Sequence, residues 1–198
     1  MGKFSFRKTS IIQVILVAIG LSDASLAAAH ESGQHAAANV PIKQAPASIA
    51  VNSELAPPPL GVTDLKFRDF FKMPVGPGGL EPSTKLLALN GKRVRIVGYM
   101  TQQEAPSTGA FILSPIPVTM GDEDESFADD LPSNAIFVHL DGSNSVVPFI
   151  PGLLKLTGVL NVGSQEEADG RVSSVSLLLD PDLTQAILHK GQERHASK

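Results

Sequence analysis

The chain has no cysteine, no tryptophan and a single tyrosine, Tyr99. Without thiols there is no disulfide, no thiolate metal centre, no cysteine nucleophile and no dithiol redox chemistry. The fold must therefore be held by its apolar core. So few large aromatics leave little on which bases or sugar rings could stack. Basic residues are scarce as well: 16 Lys and Arg stand against 20 Asp and Glu, a formal net charge of −4. A protein that lives on phosphate contacts needs the opposite balance, so nucleic acid is not an expected partner. Catalytic signatures are missing too. There is no G-x-S-x-G elbow, no H-E-x-x-H and no Gly-rich phosphate loop, and no spacing of Ser, His and Asp places them together. The expectation is a non-enzymatic protein without a cofactor.

What is present begins at the N-terminus. Lys3, Arg7 and Lys8 precede the uncharged apolar stretch 11–21, and Ser25-Leu26-Ala27-Ala28-Ala29 follows it. Positive charge, apolar run and small residues, in that order, make a cleavable secretory signal peptide over residues 1–29. The apolar run of about 11 residues falls short of the roughly 20 that span a bilayer, so no permanent membrane span is expected. The mature protein is then periplasmic or secreted. Residues 30–60 are rich in Ala, Ser, Gln, Asn and Pro and end in Pro57-Pro58-Pro59. With no apolar period to bury, they read as a disordered leader. A domain over 61–190 and a charged tail over 191–198 complete the chain.

Within the domain, Asp64 is placed to cap a short helix carrying Leu65, Phe67, Phe70 and Phe71, which Pro74 ends. Ser83 is placed to cap a second, holding Leu86, Leu87 and Leu89 and closed by Asn90-Gly91 with Gly in the left-handed conformation. Five strand-like runs follow, at 93–101, 109–116, 135–140, 153–162 and 171–179, with turn residues between them and a C-terminal helix at 182–190. Short strands without helical crossovers predict a mostly β fold: a small OB-like antiparallel barrel of about five strands with short flanking helices, a two-layer β-sandwich being the alternative. Gly98 and Gly158 lie inside strand runs, where glycine marks the bulge or sharp bend that a closing barrel needs.

A resemblance supports this fold and location. The segments Leu87-Ala88-Leu89-Asn90-Gly91-Lys92-Arg93-Val94-Arg95-Ile96-Val97-Gly98-Tyr99-Met100, Phe111-Ile112-Leu113-Ser114-Pro115 and Pro132-Ser133-Asn134-Ala135-Ile136-Phe137-Val138 resemble an uncharacterised "domain of unknown function" family of exported bacterial proteins with an OB-like β domain. The likeness covers about half of the mature chain. That family carries a Cys and a His followed by prolines between the second and third strands. Here the matching stretch is Thr119-Met120-Gly121-Asp122-Glu123-Asp124-Glu125, with neither, so the resemblance brings no metal or redox residue to this chain.

Three sets of side chains are candidate ligands. The acidic run Asp122-Glu123-Asp124-Glu125, with Asp129 and Asp130, offers hard oxygens suited to Ca²⁺, with Asp122 and Asp124 as the first pair. It is not an EF-hand: counted from Asp122, Phe127 stands where the turn Gly belongs and Ser133 where the bidentate Glu belongs. A solvated, self-repelling loop is the plainer reading. His30 becomes the third residue if cleavage follows Ala27, where amine, amides and imidazole can wrap Cu²⁺ or Ni²⁺ in a plane. Cleavage after Ala29 makes it the first. Met73, Met100, Met120 and His139 form a soft set suited to Cu(I) if they converge, and are ordinary packing residues if they do not. Lys92, Arg93 and Arg95 read as the solvent face of a strand. Together these features predict an exported binding or accessory module for an envelope protein partner or small ligand, with periplasmic handling of copper or calcium as the alternative.

Overall fold

The computed structural model of the protein describes residues 44–105, 107–121 and 131–192, and the backbone alone for 190–192. The fold is mostly β. Its strands are β1 (Thr63–Asp64), β2 (Arg93–Met100), β3 (Ala110–Ser114), β4 (Ile136–His139), β5 (Leu153–Glu166) and β6 (Val172–Leu179), and its helices are α1 (Thr84–Ala88) and α2 (Pro181–Gln192). The strands form one mixed sheet in the order β1-β2-β3-β4-β6-β5, with a further ladder between β2 and β5.

That further ladder is long and regular, running from Arg93↔Val159 to Tyr99↔Leu153 without a break. Each strand from β2 to β6 is therefore hydrogen-bonded to two others of the same five, and the ladders return to where they began. An all-antiparallel arrangement was expected, and the structure corrects it. Five strands in a circuit cannot alternate direction all the way round, because the number is odd, so one neighbouring pair must run parallel. That pair is β4 and β6, in register at Phe137↔Ser176 and His139↔Leu178. The sixth strand, β1, pairs parallel to the start of β2 through Thr63↔Val94. At two residues it is too short to leave a period in the sequence.

Gly98 and Gly158 sit inside strands as expected, and the reason is close approach. A Cβ on Gly98 would lie 2.7 Å from the Ser114 carbonyl oxygen, and one on Gly158 would lie 2.2 Å from that of Leu178. Only glycine lets the neighbouring backbone come so near. The register shift itself falls elsewhere, between Val162 and Gln165 of β5.

Alternation along the strands sends Ile96, Leu113, Ile136, Val138, Leu154, Leu156, Leu160 and Leu177 into one core. Leu65, Phe70 and Leu86 close it from one segment, and Ile150 and Ile187 from others. Each such side chain, fully buried, stabilises the fold by about 1.5–3 kcal/mol.

Two expectations about the N-terminal part change. The leader was expected to run to residue 60, yet Ala45 and Ile49 belong to the core, Ile49 with no exposure at all. Backbone bonds from Val51 N to Leu153 O (3.0 Å) and from Lys155 N to Ile49 O (2.7 Å) hold this segment along β5. Residues 30–43 lie outside the described residues. The helix expected after Asp64 is a single 3₁₀ turn, Phe67–Asp69. Asp64 does not cap it, because its carboxylate is taken by Arg95 in a bidentate pair, Nε–Oδ1 2.6 Å and Nη2–Oδ2 2.9 Å. The second helix forms as expected: the Ser83 hydroxyl accepts from Leu86 N at 3.0 Å, and Gly91 follows α1 with φ 72°.

Candidate functional site

The residues expected to hold metal, His30, Asp122 and Asp124, all lie outside the described residues, as do Glu123, Glu125, Asp129 and Asp130. Among the described residues no three His, Asp or Glu side chains gather around a common point. The soft set does not converge. Met100 is buried, with its sulfur accepting from Ile150 N at 3.3 Å, while Met73 is 73 % exposed. Of the basic residues at the start of β2, Lys92 just before the strand and Arg93 on it face solvent as expected, and Arg93 forks onto Asp180. Arg95 does not. It is buried, and beyond Asp64 it donates through Nη1 to the Ala56 carbonyl at 2.9 Å. Its guanidinium holds the Asp64 carboxyl below the usual carboxylate range. This is a staple between the N-terminal segment, β1 and β2. Its partners are all of this chain.

The structure instead brings polar groups together on the outer face of β3 and β4. With Ile136 and Val138 in the core, alternation turns Phe137 and His139 to the opposite face, where Ile112 pairs with Phe137 and Ala110 with His139. Ile112 and Phe137 are nonetheless buried. Past the register shift, the β5–β6 hairpin brings its loop over them. Glu167 N donates to Arg171 O at 2.8 Å and Gly170 N to Glu167 O at 2.9 Å, which makes a tight turn. From that turn the Arg171 guanidinium carbon stands 6.0 Å from the Phe137 ring centroid, within cation–π range. Arg171 Nη1 also lies 3.7 Å from the Met120 sulfur, and Nε is 3.1 Å from Asp169 Oδ2. Ser107, on the β2–β3 loop, donates to that same Asp169 oxygen at 3.4 Å. Residues of three loops thus meet around Arg171, which stands over Phe137 of β4.

Beneath the turn, Glu167 is buried. Its Oε1 accepts from the Ser173 hydroxyl, and Oε2 lies 3.3 Å from His139 Nε2. The His139 nitrogen is itself buried and forms no hydrogen bond of good geometry. Serine, carboxylate and imidazole are all present, but in the wrong order for nucleophilic catalysis. The relay needs the imidazole between hydroxyl and carboxylate, and here the carboxylate is in the middle. The arrangement positions a loop and offers polar contacts. It does not activate the serine.

Reading from sequence missed Glu167, Arg171 and Phe137. Glu166 and Glu167 precede the turn residues Ala168-Asp169-Gly170 and so resemble an ordinary solvated bend. The one usable signal was the length of the apolar alternation on either side, which makes the hairpin long enough to fold back. A separate pocket of about 250 Å³, lined by Gln44, Ala45, Ala50, Val51, Asn52 and 151–153, carries no charged side chain. Among the described residues no helix is long and apolar enough to cross a membrane.

No family model matches the chain, and no curated protein does. Among solved structures, a DUF3299 family protein from Pseudomonas aeruginosa aligns with it at 11 % identity and a TM-score of 0.38, over 59 % of this chain and 91 % of that one.

Proposed function

We propose that this chain is an exported, non-enzymatic binding or accessory module with an OB-like barrel, and that it recognises an envelope protein or small ligand on the outer face of β3 and β4. The observation that carries this reading is the return of the ladders to β2 with β4 and β6 parallel. In an OB barrel the face of the second and third strands, flanked by the first–second and fourth–fifth loops, is where ligands bind. Counted around the circuit from β2, those are β3 and β4, the 101–109 loop and the 167–171 loop. Arg171 and His139 lie part-exposed at that place, over the buried Phe137 ring and Glu167 carboxylate. Export rests on the Lys3, Arg7 and Lys8 charges, the 11–21 apolar run and the alanines before His30.

A thermal-shift screen of small metabolites and glycans tests the site. A compound at 100 times its Kd raises stability by about 2.7 kcal/mol. The expected outcome is that compounds stabilising the wild type lose their effect on Arg171→Ala. Stabilisation that survives Arg171→Ala and Phe137→Ser unchanged places the site elsewhere.

A further inference from the structure

We infer that residues 56–60 are a preformed polyproline ligand for a partner protein with an aromatic-lined groove. The sequence is Ala56-Pro57-Pro58-Pro59-Leu60. Each of Ala56, Pro57 and Pro58 precedes a proline and is thereby kept in the extended region, and each proline holds φ near −65°. The run ends in a turn closed by Val62 N to Pro59 O at 3.1 Å, with Gly61 at φ 78°. Glycine with that φ in the third position is the signature of a type II turn, whose second residue, here Leu60, is itself in the polyproline region. The extended helix therefore continues through Leu60.

Three residues per turn put Pro57 and Leu60 on one edge, Ala56 and Pro59 on a second, and Leu55 and Pro58 on the third. Pro58 is half-buried against the domain, while Ala56, Pro57, Pro59 and Leu60 are exposed. Two ridges thus face outward, and the third is seated at Pro58 alone, Leu55 being 40 % exposed. Leu60 is 102 % exposed, as open as in an unfolded chain. Among the described residues none covers it. The base is fixed by the bond from buried Arg95 to the Ala56 carbonyl, 2.9 Å, and the far end by the turn. A segment held at both ends and stiffened by prolines has little conformational entropy left to lose on docking, which is why aromatic grooves select polyproline segments. The observations are independent of the β3–β4 face, so either proposal can fail without the other.

The test uses the full chain in its host cells, with a photo-crosslinker in place of Leu60 and, as control, in place of the exposed Leu87 of α1. The competitor is a synthetic peptide of residues 53–62. The expected result is a protein adduct formed from position 60 alone. It is competed by the peptide, falls about tenfold on Pro57→Gly with Pro59→Gly, and maps between aromatic side chains of the captured protein. A Leu60→Ser chain carrying the crosslinker at Pro59 keeps the test valid if the glycine pair fails to fold, and it too loses the adduct. No adduct, one indifferent to peptide and substitutions, or one joining a lipid or a second copy of this chain overturns the inference.

Discussion

Replacing Gly158 by alanine puts one methyl group where the structure leaves none. The new Cβ would stand 2.2 Å from the Leu178 carbonyl oxygen, 2.9 Å from its carbon and 3.0 Å from Leu177 Cγ. The first two are backbone atoms and cannot swing aside. Nor can β5 retreat, because Gly158 is paired with Val94 of β2 on its other side and with Leu179 of β6. Overpacking a tight interior costs about 1–3 kcal/mol, and an obstacle made of backbone places this case at the upper end, about 3 kcal/mol. For a domain of this size each kilocalorie lowers the melting temperature by about 3–4 °C, so Gly158→Ala should melt about 10 °C lower. Gly76→Ala is the control, since a Cβ there meets nothing within 4 Å and its φ is not in the left-handed region. It should stay within about 0.5 kcal/mol of the wild type. Differential scanning calorimetry of the two variants is the assay. If Gly158→Ala melts with the wild type, β5 is not confined between β2 and β6, and the circuit of ladders is wrong.

The remaining predictions concern single side chains. Asp64→Asn should destabilise by about 2 kcal/mol in urea unfolding, because it strands a buried guanidinium, though Asp64 itself is part-exposed and the loss is smaller than for a fully buried pair. Since Arg95 holds the Asp64 carboxyl below its unfolded value, and Lys85 does the same to Asp69, the stabilisation is fully present above the unfolded value of about 4 and is lost as pH falls below it through the lowered folded values. The acid limb of the stability–pH profile should therefore be shallower in Asp64→Asn, and an unchanged limb would contradict the pairing. Leu60→Ser should leave the melting temperature unchanged within about 2 °C, as expected for a fully exposed side chain. A large drop would mean that Leu60 is packed. Millimolar Ca²⁺ should leave the melting temperature where it is if 122–130 is a solvated acidic loop, and a clear rise would assign the alternative metal role.

Local signals were read well and distant ones poorly. Ser83 caps α1 through an atom three residues away, Gly91 closes it, and the C-terminal helix expected over 182–190 forms over Pro181–Gln192. Each is decided within one turn of chain. Asp64 carries the same capping signature as Ser83, but its partner Arg95 is 31 residues away, and a bidentate ion pair outcompetes a cap. The same limit hid the pairing of His139 with Glu167, which only the folded hairpin brings together. Residues 44–50 contribute Ala45 and Ile49 to the core without any apolar period, because the segment lies along β5 as irregular chain and not as a helix or strand of its own. The parallel pair was legible in principle: a closed circuit with an odd number of strands requires one.

The reading as a binding module stands or falls on where a ligand touches. Backbone amide shifts of the ¹⁵N-labelled protein, followed while a compound from the thermal-shift screen is titrated in, report that directly. The largest changes should fall on Ile112, Phe137, His139, Glu167 and Arg171, with the 101–109 loop next. Changes confined to α1, α2 or the pocket beside residues 44–52, with those five amides still, would contradict that reading.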